Sequence, residues 1–162
     1  MTDDLRFKNR YRIPSARLAS WDYRWPGVYS VTICTRSRIC WFGEVLDGEM
    51  ALSPEGRVVE EEWTKISRDF PQVALDAWIV MPDHVHGILL FQSRLTQSLG
   101  AVVGQFKSKT TKRIRMDLRR SDFAWQPRFH DTILREEADV ARVRDYIRAN
   151  PSRWKRETEG AG

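Results

Sequence analysis

The stretch that decides the fold is Ala77-Trp-Ile-Val-Met-Pro-Asp-His-Val-His-Gly-Ile-Leu-Leu-Phe91. It holds two apolar, β-rich runs, Ala77 to Met81 and His84 to Phe91, separated only by the turn-forming pair Pro82-Asp83, and this predicts an antiparallel hairpin. Upstream, Gly27 to Arg36 (GVYSVTICTR) alternates Val28, Ser30 and Thr32 with Tyr29, Val31 and Ile33 and reads as a strand. Asp47-Gly48 predicts a small hairpin between Phe42 and Leu52. Ser53-Pro54 supplies an N-cap with proline at the first helical position, and Val59, Trp63, Ile66 and Phe70 recur at helical spacing, so a helix is expected from Pro54 to Phe70. Downstream, Leu99, Val103, Phe106 and Ile114 mark a longer helix with a basic outer face. Phe129 to Leu134 is a short strand. Glu136-Glu137 then lead into Val140, Val143 and Ile147, a final helix expected to stop at Asn150-Pro151.

With the small hairpin set aside, the order is βαββαβ plus a last helix. That is the α+β, ferredoxin-like or RRM-like arrangement, an antiparallel sheet with helices on one face and the other face free to carry a site. A length of 162 residues fits one domain, and 41% hydrophobic with 30% charged residues describes a globular chain rather than a disordered one. The most apolar region, 77–91, is interrupted by Pro82, Asp83, His84 and His86, too soon for a membrane span. Met1-Thr2-Asp3-Asp4 does not resemble a signal peptide, so a cytoplasmic location is expected. Cys34 and Cys40 are the only cysteines, which supports neither a disulfide framework nor a zinc knuckle.

The 27 Lys and Arg residues exceed the 22 Asp and Glu, for a net charge of +5, and they are unevenly placed. Arg6, Lys8, Arg10, Arg12 and Arg17 form an acid-free segment interleaved with Phe7 and Tyr11. A second segment holds Lys107, Lys109, Lys112, Arg113, Arg115, Arg119 and Arg120, and a third holds Arg148, Arg153, Lys155 and Arg156. Any one of these can be a solvated face; three together favour contact with phosphates.

His84 and His86 stand at i and i+2 of a strand, so both imidazoles lie on one face while Val85 points to the other. Such a pair serves either as packing or as the start of a divalent-metal site, which needs a third ligand. Tyr146 and Asn150, at i and i+4 of the last helix, share a face beside the Val140/Val143/Ile147 stripe and can border a sheet surface. Read alone, Tyr146 is equally a core-edge tyrosine and Asn150 a cap before Pro151. Asp83 reads most simply as a turn residue, and His130 as packing or surface.

The ordered set of Trp78 to Leu90, Phe106-Lys-Ser, Trp125-Gln, His130-Asp-Thr-Ile-Leu-Arg135, Tyr146-Ile-Arg-Ala-Asn-Pro151 and Trp154 closely resembles the IS200/IS605-like Y1 transposases, and within them the REP-associated tyrosine transposases. The resemblance spans about Arg17 to Trp154. It implies a basic arm over 1–20, a transposase domain over 21–157 and a tail over 158–162. It also implies a single-stranded DNA endonuclease and strand transferase of the HUH class acting on hairpin-forming palindromes. By the same resemblance His84 and His86 are the metal-binding histidines, Tyr146 is the nucleophile, Asn150 is the third ligand, and the product is a 5'-phosphotyrosine beside a free 3'-hydroxyl. His130 departs from the pattern, where an aromatic is common.

Two imidazoles and an amide oxygen with open positions suit Mg²⁺ or Mn²⁺. Phosphate contacts are expected from Arg6, Lys8, Arg10 and Arg12 on the arm and from Lys107, Lys109, Lys112 and Arg113 on the basic helix. A monomer is favoured over a homodimer because the REP-associated group resembles single-chain enzymes. Two rival readings share the fold: a non-catalytic single-stranded nucleic-acid-binding module, and a metal-dependent hydrolase of small phosphoesters.

Overall fold

The computed structural model of the chain describes residues 20–161. Arg6, Lys8, Arg10 and Arg12 therefore lie outside the described residues. The elements are β1 (Gly27–Cys34), a 3-10 turn (Arg36–Arg38), β2 (Gly43–Leu46), β3 (Glu49–Leu52), α1 (Pro54–Thr64), α2 (Ile66–Asp69), β4 (Val73–Met81), β5 (His84–Phe91), α3 (Leu99–Met116), β6 (His130–Leu134) and α4 (Glu137–Ala161). Among the described residues no helix is long and apolar enough to cross a membrane.

Four strands form one sheet in the order β4-β5-β1-β6, every neighbouring pair antiparallel. Strand β5 thus separates β1 from β4, the interleaving expected of the split βαβ arrangement. Pro82-Asp83 joins β4 to β5 as expected, and its two carbonyls accept the amide N–H groups of Phe42 and Thr35. The hairpin end is thereby pinned to the chain that leaves β1.

Strand alternation divides the molecule into two cores. On one face Tyr29, Val31, Ile33, Val85, Leu89 and Phe91 pack against Val59 and Trp63 of α1 and Val102, Val103, Phe106 and Ile114 of α3. On the other face Ile88 and Leu134 meet Val143 and Ile147 of α4 in a smaller cluster. Helix α4 therefore covers part of the face left open by the other helices. A bidentate ion pair from Arg144 to Asp76 ties it to β4.

Two sequence expectations need correction. The helix expected over Pro54 to Phe70 divides at Lys65 into α1 and α2. There the Thr64 hydroxyl donates to the Glu61 carbonyl and competes for a backbone acceptor in the last turn of α1. The last helix does not stop at Asn150-Pro151 but carries Pro151 within it and continues to Ala161. Proline cannot donate to the Ile147 carbonyl, yet tertiary packing keeps the chain helical. Pro151 is buried, Ser152 faces Gly48 at the tip of the β2–β3 hairpin, and the Trp154 ring lies against His84.

Candidate active site

The site begins on β5. His84 is paired with Cys34 of β1 and Met81 of β4, and His86 with Thr32 and Ile79, so both imidazoles emerge on the face that α4 covers. Each is only 5% exposed. His84 Nδ1 lies 2.8 Å from Asp83 Oδ1, and Asp83 Oδ2 accepts from Arg38 Nε at 2.8 Å. Burial, the largest influence on Asp83, pushes its carboxyl upward, but the hydrogen bonds and charges of His84 and Arg38 outweigh it and hold the group below the ordinary carboxylate value. A carboxylate behind an imidazole fixes the ring's orientation and raises its basicity as a ligand.

His86 Nε2 lies 2.9 Å from the Ser30 hydroxyl. Burial, reinforced by neighbouring His84, drives the His86 pKa down to about 3, so at neutral pH it is an uncharged imidazole, the form that binds metals. One nitrogen of each ring is thus engaged. The other two, His84 Nε2 and His86 Nδ1, are buried without a hydrogen-bond partner. Two orphaned imidazole nitrogens on one face are costly to a fold unless something else binds them.

Helix α4 brings its own pair to that face. The Tyr146 ring meets His86 edge-on, with centroids 5.7 Å apart and 61° between planes. Asn150 follows one turn later, buried, and its Nδ2 also lacks a partner. Among the described residues no three His, Cys, Asp or Glu side chains gather as a metal site. The Asn150 carboxamide could offer an amide oxygen beside the two imidazoles by a half-turn of its terminal torsion. The donor set of two imidazoles and an amide, all with orphaned atoms, fits a divalent cation that keeps open positions for phosphate and water.

Two further side chains of α4 border the site, one against Tyr146 and one against His84. The Arg153 guanidinium stacks 4.7 Å from the Tyr146 ring centroid, and Trp154 lies 6.3 Å from the His84 ring. His130, paired with the same Thr32 that faces His86, shares this side of the sheet; burial first, and then the charge of Arg38, keep its pKa below the ordinary value.

The basic helix candidates lie on the opposite side, on α3. Lys107 Nζ donates to the Gln126 carbonyl at 2.6 Å, and burial keeps that ammonium's pKa below its usual value. Lys109 pairs with Asp69, and Arg113 with Glu61 and Glu62. Lys112 is exposed and, with Arg36, Arg115 and Lys107, lines a groove of about 680 Å³ beside Trp125.

Reading the sequence alone misses Asp83 as a partner of His84, although its adjacency to the histidine is the available signal. Arg153 is hidden because the helix was expected to end before it; at i+7 from Tyr146 it shares the face. Ser30 has no local signal, since only the β1–β5 register reveals it.

The family model described as "Transposase IS200 like" matches residues 28–150. The chain belongs to this family. Another similar sequence is an uncharacterized protein of Haemophilus influenzae, 31% identical, with 88% of this chain and 90% of that protein covered. Among solved structures this IS200-like transposase superposes on a REP-associated tyrosine transposase bound to a REP hairpin, with TM-score 0.64, 22% identity, and coverage of 85% of this chain and 73% of that one. A Deinococcus radiodurans crystal structure, described provisionally as a transposase, matches with TM-score 0.52 at 18% identity, covering 81% and 94% of the two chains. Both structural likenesses extend the agreement in fold.

Proposed function

We propose that this transposase is a divalent-metal-dependent single-stranded DNA endonuclease and strand transferase that recognises hairpin-forming palindromes and cuts through a covalent bond to Tyr146. The observation that carries the reading is the contact of Tyr146 with His86, one of two buried, half-orphaned histidines that share a sheet face. His84, His86 and Asn150 would hold Mg²⁺ or Mn²⁺, which when bound neutralises charge on the scissile phosphate and orients it for in-line attack.

The phenol oxygen of Tyr146 attacks phosphorus as its proton passes to solvent, the bond to the 3'-oxygen breaks, and that oxygen takes one proton from solvent in return and leaves as a 3'-hydroxyl. The DNA remains joined to the protein as a 5'-phosphotyrosine. One phosphoester replaces another, so the 3'-hydroxyl can reverse the step or a new end can be joined without ATP. Asp83 fixes the His84 ring, and Arg153 holds the phenol ring by stacking on it. Hairpin DNA is the substrate we infer because the superposable REP-associated transposase is described as bound to one. The monomer is the working form in this reading.

The test is incubation with end-labelled hairpins bearing single-stranded flanks, with and without Mn²⁺. The expected result is a covalent adduct with the wild-type protein and none with Tyr146→Phe, which still binds DNA. Binding without any adduct would leave a nucleic-acid-binding module, and cleavage by Tyr146→Phe at the wild-type rate would point to a phosphoesterase.

A further inference from the structure

Beside the histidine pair lies a second concavity that the chemistry above does not use. It is a cavity of about 380 Å³ between the β2–β3 hairpin and α4, walled by Val45, Leu46, Pro82 and Trp154 and edged by Glu44 and Asp47. Trp154 belongs to both places, since its ring lies against His84 and also lines this cavity. Pro82, which also lines the cavity, immediately precedes the Asp83-His84 segment, so two lining residues adjoin the site. Leu46 is 53% exposed, an apolar wall left facing solvent.

We propose that this cavity is a nucleobase subsite, receiving one unpaired base of the single-stranded DNA flank next to the scissile phosphate; it rests on the function proposed above. Its lining decides between the two parts of a nucleotide. Glu44 and Asp47 repel a phosphate, so the backbone stays at the cationic and metal-binding side and the base turns inward. The Trp154 indole offers a stacking platform open to any base, as aromatic rings do in single-strand binding. The carboxylates accept hydrogen bonds from exocyclic amino groups and N–H edges. Bases carrying an amino group (guanine, adenine, cytosine) therefore fit best, whereas thymine has no amino group and flanks its single N3–H donor with two carbonyl oxygens that the carboxylates repel, so it is disfavoured.

The continuation of the helix past Pro151 is what brings Trp154 to both places. Ending it there would remove Trp154 from both the histidine and the pocket.

The experiment measures binding in EDTA, so cleavage plays no part. Fluorescent hairpins with a single-stranded flank are prepared with each flank nucleotide replaced in turn by an abasic residue, and separately by each of the four bases. With wild-type protein one position should be sensitive, losing about five- to a hundredfold in affinity when abasic. The same replacement should cost Trp154→Leu almost nothing. At that position amino-bearing bases should bind better than thymine, and Glu44→Gln, whose side chain adds a donor, should narrow the difference while its exposed position leaves folding intact. Equal sensitivity of wild type, Trp154→Leu and Glu44→Gln at every position would overturn the subsite while leaving hairpin binding and the Tyr146 adduct in place. Failure of the wild-type protein to bind any hairpin would instead remove the parent reading and the subsite with it.

Discussion

Replacing Gly87 by alanine tests how the sheet presents its histidines. Gly87 follows His86 but points to the opposite face, where Trp63 is fully buried and meets Phe106 edge-on at 5.4 Å. A Cβ built on Gly87 would come under 3.0 Å from Trp63 Cζ2 and stand 2.9 Å from Trp78 Cβ. An indole enclosed on all sides cannot retreat, so either the ring or β5 must shift. Overpacking of this kind costs about 1–3 kcal/mol, and the enclosed ring places this case near the upper end. For a chain of this size about 3 kcal/mol lowers Tm by roughly 6–12 °C. The control is Gly104→Ala on α3, where a Cβ meets nothing within 4 Å and the gain in helix propensity is about 1 kcal/mol. Calorimetry should show the two alanines moving Tm in opposite directions. A Gly87→Ala protein that melts within about 2 °C of wild type would refute the reasoning, because β5 would then be able to yield without cost.

Asp83→Asn removes the charge behind His84 while keeping its shape, and Mn²⁺ binding followed by calorimetry should weaken by about 10–100-fold. Acid should destabilise the metal-free protein through His86. The unfolded chain takes up that proton below about pH 6.5, whereas the folded state resists it until about pH 3, so stability falls as pH drops across this window. The slope from this group approaches about 1.4 kcal/mol per pH unit, and urea titrations of His86→Gln should show it flattened. The depressed Asp83 carboxyl adds loss in the same direction once pH falls below the ordinary carboxylate value. Arg144→Gln breaks the partly exposed pair with Asp76; the expected cost is below about 1 kcal/mol overall, with faster amide hydrogen exchange confined to α4.

The hairpin 77–91, the Asp47-Gly48 turn and the shared face of His84 and His86 were legible because each depends on neighbours within a few residues: a proline-led turn, a glycine turn, a period of two. The placement of Tyr146 beside His86 was reached through helical spacing joined to the family's motif order, and residue spacing alone left it open. What the sequence hid was set by partners far along the chain. Lys109 and Arg113 look like free basic residues until Asp69, Glu61 and Glu62 are brought against them. Asp83 looks like a turn residue until Arg38 arrives from beyond β1. Pro151 carries a strong local stop signal, and the burial of Pro151 with the packing of Trp154 overrode it.

The seating of α4 makes the site all-or-none. Tyr146 and Asn150 each stand three residues after an anchor, Val143 and Ile147, that plugs the helix into the sheet. At 100° per residue, one inserted or deleted residue between Leu134 and Val143 would rotate phenol, amide and anchors together. No half-rotated helix keeps its apolar plugs in place while withholding Tyr146 and Asn150. If the proposed chemistry holds, selection for a well-docked helix and selection for a correctly aimed attack act on a single phase angle.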